Sequence, residues 1–304
     1  MSIMKNYYYL LGIQSYANHD SGASIIKVSK NLKKIDYVAI SEERLLRKKY
    51  PYTFPLHSIN YCMEFFGIKR FRDIDYIISD WIRIKRWIRS GPAYNYQMYD
   101  YIKEKLDFEK KKIIQIDHHL AHAASTYYTN SYNKSAILIV DGNGSDLETN
   151  SFFLGNKNKI RLLRKFKYHG IGAAYTAVSK SILNFGTGGE GKTMGLAPYG
   201  KPNKKIKINF SLKNINTDFS KFMRRMPYSD VLNHTNDKFR PKLIKQKYPS
   251  ANSKNIMNSI FCDWAYKIQK VTEDVMVHLG KEIFKLTKSK NICLAGGVRT
   301  KFSC

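Results

Sequence analysis

Three imidazoles fall within five positions in the segment Asp117-His118-His119-Leu120-Ala121-His122-Ala123-Ala124-Ser125. From His119 onward the segment reads as a helix, which would put His118 and His122 one turn apart on one face. Downstream, Asp141 closes a short apolar run, Ile137-Leu138-Ile139-Val140. Two histidines at i and i+4 with a carboxylate from a strand end make a three-ligand metal set with open positions. A metal held that way is available for chemistry. Each group also has an ordinary role open to it. A histidine can be structural, and Asp141 can cap its own turn by accepting backbone N–H bonds. His119 points off the shared face and is either a supporting group or an exposed one.

Three further places could touch a ligand. His19-Asp20-Ser21-Gly22 is a tight polar turn after the first strand. Its N–H groups and hydroxyl could hold a phosphate, and His19 could serve as a general base. Phe185 to Gly200 carries six glycines in sixteen residues, which predicts a loop enclosing a ligand, with Glu190 and Lys192 as polar contacts. Gly186 to Thr193 fits the letters of a phosphate-binding P-loop, but Gly195 and Pro198 argue against the helix that must follow. Last, Gly296-Gly297 closes a short strand and would let backbone come close to a nucleotide. Glu42, Glu43 and Arg44, taken alone, read as a solvated face.

The elements that must position these groups alternate in α/β fashion. Tyr7–Ile13, Ala23–Val28 and Tyr37–Ile40 read as an antiparallel meander, followed by a helix over Pro55–Phe66 stopped at Gly67 and a strand at Ile74–Ile78. Lys112–Ile116 is a strand, His119–Tyr128 a helix and Ser135–Val140 a strand that opens a second meander with Asn150–Gly155 and Ile160–Phe166. Ala173–Leu183 and Ile256–Thr287 are helical patterns, the second with a break at Gly280, and Asn291–Ala295 is a final strand. Two strand-strand-strand-helix units suggest an internal duplication. Residues 201–255 are polar and lysine-rich, and read as an insertion outside the core layers.

Composition narrows the class. The 304 residues carry 52 Lys and Arg against 24 Asp and Glu, a formal charge of +28. Such a charge suits anionic partners. The joint excess of Lys, Asn, Ile and Tyr favours codon drift over a dedicated nucleic-acid surface. Cys62, Cys262, Cys293 and Cys304 are dispersed without a C-x-x-C pair, which indicates neither a disulfide framework nor a zinc ribbon and fits a reducing cytosol. No apolar run reaches the roughly 18 residues of a membrane span.

Read together, the blocks resemble the NodU/CmcH carbamoyltransferase family. They are Gly12-Ile13 with His19-Asp20-Ser21-Gly22-Ala23, then Ser41-Glu42-Glu43-Arg44, His118 to Ser125, Val140-Asp141-Gly142, Gly189 to Gly200, and Leu294-Ala295-Gly296-Gly297-Val298. The resemblance implies an actin-like ATPase (ASKHA) fold with two ribonuclease-H-like lobes, residues 1–130 and 131–304, flanking a nucleotide cleft. By similarity His118, His122 and Asp141 would bind a catalytic metal, iron first and zinc second. Asp20, Ser21, Gly142, Glu190, Lys192, Gly296 and Gly297 would border the nucleotide or the carbamoyl group. His19 would be the general base nearest the acceptor. The implied reaction moves a carbamoyl group from carbamoyl phosphate, with ATP and through carbamoyladenylate, to a hydroxyl of a sugar or secondary metabolite.

Two departures from the family pattern set further expectations. Members carry another metal-ligating Asp beyond the Ala-Gly-Gly-Val block, and then a YrdC-like domain that makes the carbamoyladenylate. Arg299–Cys304 departs from the family's following run. The second lobe is therefore expected to be incomplete, and the missing domain, or a separate protein, to be a needed partner. The chain alone is expected not to complete the reaction. A tRNA threonylcarbamoyl transferase shares the His-x-x-x-His core and is the main alternative, in which the positive charge would be functional. A non-catalytic remnant or binding module is the third.

Overall fold

The computed structural model describes residues 6–14, 21–49, 51, 53–80, 106, 112–186, 188–223, 252 and 254–298. The chain divides into two compact units, Met1–His118 and His119–Cys304. The division falls between the first two residues of one helix, which packs on the second sheet.

In the first unit, β1 (Tyr7–Gln14), β2 (Gly22–Ser29) and β3 (Ile35–Ser41) form the expected antiparallel meander. The short helix α1 (Glu42–Leu46) and helix α2 (Leu56–Phe65) follow, and then β4 (Tyr76–Ser79) and β5 (Ile113–Gln115). The strand order is β3-β2-β1-β4-β5, with β1, β4 and β5 mutually parallel. This is the ribonuclease-H-like arrangement. Apolar residues alternate along β1 and β2, so Leu11, Ile13, Ala23 and Ile25 share one buried cluster with Ile59, Cys62 and Met63 of α2. Helix α2 stops where expected, with Gly67 at φ +67° and its N–H bonded to the Glu64 carbonyl.

Glu42 departs from the solvated-face reading. It is fully buried, and its carboxylate accepts the N–H groups of His57 and Ser58, the Ser58 hydroxyl and the His57 Nδ1–H. The α2 N-terminus offers unpaired N–H groups, which are what a buried carboxylate needs. Burial pushes the Glu42 carboxyl up, but the bonds from Ser58 and His57 outweigh that and hold it below its ordinary value.

The second unit repeats the plan. Helix α3 (His118–Tyr127) leads to β6 (Lys134–Val140), β7 (Glu148–Asn156) and β8 (Lys159–Lys167), another antiparallel meander. Helix α4 (Ile171–Ala177) runs into a π-turn, Val178–Ile182. Next come α5 (Glu190–Leu196), the small hairpin β9 (Ser211–Lys213) and β10 (Asn216–Asp218), the single turn α6 (Ser220–Met223), the long α7 (Ser259–Thr287) and β11 (Ile292–Ala295). The sheet order β11-β6-β7-β8, with β11 parallel to β6, reproduces four strands of the first sheet. Two such sheets in one chain make the actin-like ATPase fold. Strand β6 is buried from Ser135 to Val140 because both its faces are covered. Ala136, Leu138 and Val140 join the cluster of α4 and α7, while Ile137 and Ile139 join Ala123 and Tyr127 of α3.

Three expectations in this unit are corrected. Phe185 to Gly200 is not a plain loop: Glu190–Leu196 is helical, continued by a 3₁₀ turn, Ala197–Tyr199. Gly195 sits inside this helix, and Pro198 falls in the tighter 3₁₀ turn that ends it. The P-loop reading still fails, because a helix and π-turn, rather than a strand, precede it. Residues 201–223 are not outside the core: Ile206, Ile208, Ile215, Phe219 and Phe222 are buried with α4 and α7. Helix α7 passes through Gly280 without a break, held by a continuous buried stripe from Phe261 to Ile283. Among the described residues no helix is long and apolar enough to cross a membrane.

Candidate metal centre

Helix α3 presents two histidine faces with different jobs. His119, Ala123 and Tyr127 repeat every fourth residue and are all buried, so they form the stripe that docks on β6 and β7. His119 is fully buried, and its Nδ1 lies 2.7 Å from the Ser151 hydroxyl of β7. The exposed reading of His119 is therefore corrected: it anchors the helix. Tyr127 anchors the other end by donating its hydroxyl to the carbonyls of Asn133 and Lys157. With that stripe fixed, His118 and His122 occupy the neighbouring face and are only partly buried.

Asp141 comes from the first position after β6. Its backbone N–H bonds the Thr149 carbonyl, so the residue is held in line with the strand. Its Oδ2 lies 3.1 Å from His122 Nε2, while Oδ1 accepts the N–H of Gly142 at 2.7 Å and that of Gly297 at 3.1 Å. The capping role expected of Asp141 falls to Oδ1, and Oδ2 is the oxygen that faces His122. Donor atoms of His118, His122 and Asp141 all lie within 4.8 Å of one another. Two donors each about 2.1 Å from one ion stand about 3 Å apart when adjacent. The gap between His122 and Asp141 already has that size. Two imidazoles and one carboxylate with open positions suit iron or zinc, so the residues present fit the implied metal.

The backbone around Asp141 is packed without room for side chains. A Cβ on Gly172, at the start of α4, would lie 2.5 Å from the Asp141 carbonyl oxygen and 2.7 Å from the Gly142 Cα. A Cβ on Gly296 would lie 2.3 Å from the Val140 carbonyl oxygen, and Gly296 also holds φ +96°. The close backbone approach expected at Gly296-Gly297 is therefore made to β6 itself. Glycine here lets β11, β6 and α4 converge on the carboxylate.

The remaining sequence-derived groups stand as follows. His19 and Asp20 lie outside the described residues. Ser21 is buried; its hydroxyl donates to the Thr53 carbonyl, and its own carbonyl accepts the Glu42 N–H. Glu190 Oε1 accepts the Thr176 hydroxyl at 2.7 Å, and Thr193 donates to Ser179 at 2.7 Å, so α5 is fastened to α4 and its π-turn. Next to them Tyr175 is fully buried and donates to Gln269 of α7; burial, with Glu190 beside it, pushes its phenol up. Lys192 is exposed, with Nζ 5.9 Å from the centre of the Phe185 ring. The described cysteines, Cys62, Cys262 and Cys293, are buried and free, and burial pushes the Cys62 thiol up to about 11.

One residue at the site escaped the sequence reading. Asp80 is the first residue after β4, and its Oδ2 lies 2.6 Å from His118 Nδ1. An acid directly after a strand was the available signal, the same one that marked Asp141.

Residues 85–302 match the family model described as Carbamoyltransferase N-terminus. The uncharacterized protein sll1178 of Synechocystis is 29% identical, covering 95% of this chain and 50% of that protein. Nodulation protein NolNO of Sinorhizobium fredii is 24% identical, covering 92% of this chain and 40% of that protein. The chain thus spans half or less of the length of these relatives. Among solved structures, YeaZ from Pseudomonas aeruginosa is similar at 12% identity and a TM-score of 0.29, covering 52% of this chain and 64% of that one. The match over residues 85–302 takes in α3, β6 and β11, the elements that carry the His/Asp set, and on that match the chain belongs to the carbamoyltransferase family, in its N-terminal part.

Proposed function

We propose that this chain is the acceptor-side part of an O-carbamoyltransferase, which uses carbamoyl phosphate and ATP through carbamoyladenylate to carbamoylate a hydroxyl of a sugar or secondary metabolite. The observation that carries the reading is the convergence of His118, His122 and Asp141 at the end of β6, in a chain of this family. His118, His122 and Asp141 would hold the metal, iron or zinc. When bound, it supplies positive charge against the phosphate oxygens of the adenylate and polarises the leaving group.

The chain's own residues would do the rest. Asp141 keeps the N–H groups of Gly142 and Gly297 turned to one oxygen, which fixes the two loops of the second unit around a single carboxylate. The acceptor hydroxyl would attack the carbamoyl carbon while the bond to the adenylate oxygen breaks. Its proton would pass to His19, the proposed base. Ser21, held through Thr53 and Glu42, fixes the point where the first loop rejoins β2. Lys192, exposed and cationic, is proposed to meet the anionic nucleotide.

Equilibrium dialysis of labelled AMP against the metal-loaded chain, before and after chelation, tests the reading. The expected result is AMP retention that disappears with the metal. Retention of tRNA with a steep salt dependence, and no AMP retention, would replace it with the tRNA-modifying alternative. No retention of either would leave a non-catalytic binding module.

A further inference from the structure

Asp80 and His118 emerge side by side for a reason that lies in the sheet. β4 and β5 are parallel neighbours, with Ser79 opposite Gln115, and the Ile116 N–H bonds the Ser79 carbonyl. The residues just beyond both strands therefore leave the same end of the sheet, where α/β folds build their sites. There Asp80 Oδ2 and His118 Nδ1 are 2.6 Å apart. Both side chains are mostly buried, at 19% and 25% exposure.

The rest of the Asp80 carboxylate is informative. Its Oδ1 is buried and has no hydrogen-bond partner among the described residues. Two carboxylates that serve packing, Glu42 and Asp263, look different. Glu42 accepts four hydrogen bonds at the start of α2, and Asp263 accepts the Lys201 N–H and the Asn203 amide. Leaving a buried carboxylate oxygen unpaired is costly. The hydrogen bond that Asp80 does make goes to a candidate metal ligand.

We propose that Asp80 is a positioning residue for the metal. It accepts the Nδ1–H of His118, fixes the ring plane, and selects the tautomer whose lone pair is on Nε2. A metal-ligating histidine that donates its other N–H to a carboxylate binds more tightly, and loss of that carboxylate typically costs about 10–100-fold in metal affinity. The inference rests on the metal reading given above.

The test is a Zn(II) and Co(II) titration of the purified chain against a competing chelator, for the wild type, Asp80→Asn and Asp80→Ala. Both variants are expected to bind about 10–100-fold more weakly and to shift the visible bands of bound Co(II). A packing role would leave the bands unmoved. Asp80→Asn has nearly the same shape, so it carries the test if Asp80→Ala does not fold. Wild-type affinity and wild-type Co(II) bands in Asp80→Asn would overturn the inference and leave the metal reading standing. A wild-type chain that binds neither ion would overturn both.

Discussion

Asp141 and Gly297 are 156 residues apart in the chain, yet the Gly297 N–H donates to Asp141 Oδ1 at 3.1 Å. The same oxygen accepts the Gly142 N–H, which leaves Oδ2 facing His122. One carboxylate thus closes the loops after β6 and β11 and contributes to the His/Asp set. Asp141→Asn separates these roles. The Asn oxygen can still accept both N–H groups, but an NH₂ group replaces the oxygen proposed to ligate. The expected outcome is a folded protein whose metal affinity falls by more than the roughly 10–100-fold that a supporting residue costs. Metal titration beside a thermal melt checks it; an unchanged affinity would remove Asp141 from the ligand set.

His119 and His122 should respond in opposite ways. His119→Leu removes a buried hydrogen bond and strands the Ser151 hydroxyl, at a cost of about 1–3 kcal/mol. His122→Leu removes a partly exposed group and should cost little stability but most of the metal affinity. Urea melts and metal titrations of the two variants distinguish the anchor from the ligand. If His119→Leu alone lost the metal and kept its stability, the two assignments would be reversed.

Gly172→Ala tests the packing beneath the site. The new methyl group would meet the backbone of Asp141 and Gly142, which cannot rotate away. Overpacking of this kind costs about 1–3 kcal/mol, and displacement of the Asp141 loop should weaken metal binding as well. A variant with wild-type melt and wild-type affinity would show that α4 does not support the loop.

Much of this site was legible in the sequence, and the reasons are local. The i, i+4 spacing of His118 and His122 encodes a shared helical face, and Asp141 follows a short apolar run that reads as a buried strand. Period-two alternation exposed both meanders, hence the duplicated lobes. What was missed depends on contacts between distant segments. The burial of Glu42 follows from the N-terminus of α2 lying across it, and the pairing of Asp80 with His118 follows from the parallel register of β4 and β5. The glycine and proline content of residues 185–200 masked a helix fastened by Thr176, Ser179 and Thr193. In the lysine-rich stretch that follows, the spaced apolar residues Ile206, Ile208, Ile215 and Phe219 were too sparse to signal a core strap.

Glu42 gives a pH-dependent expectation. Its carboxyl is held below the ordinary 4.5 in the folded chain, so its contribution to stability is present above that pH and is lost as pH falls through the lower folded value. Glu42→Gln should cost about 1–3 kcal/mol at pH 7, with the difference from wild type shrinking below pH 4.5. Urea melts at several pH values read this directly. A constant difference down to the acid limit would mean that the charge is not what stabilises the α2 start.

The most direct measurement is the metal content of the chain after anaerobic purification, by elemental analysis, for the wild type and for His118→Ala with His122→Ala. The expected result is close to one equivalent of iron or zinc in the wild type and none in the double variant. A metal-free wild type that also refuses added iron and zinc, or a double variant with the same metal content, would contradict the site built on His118, His122 and Asp141.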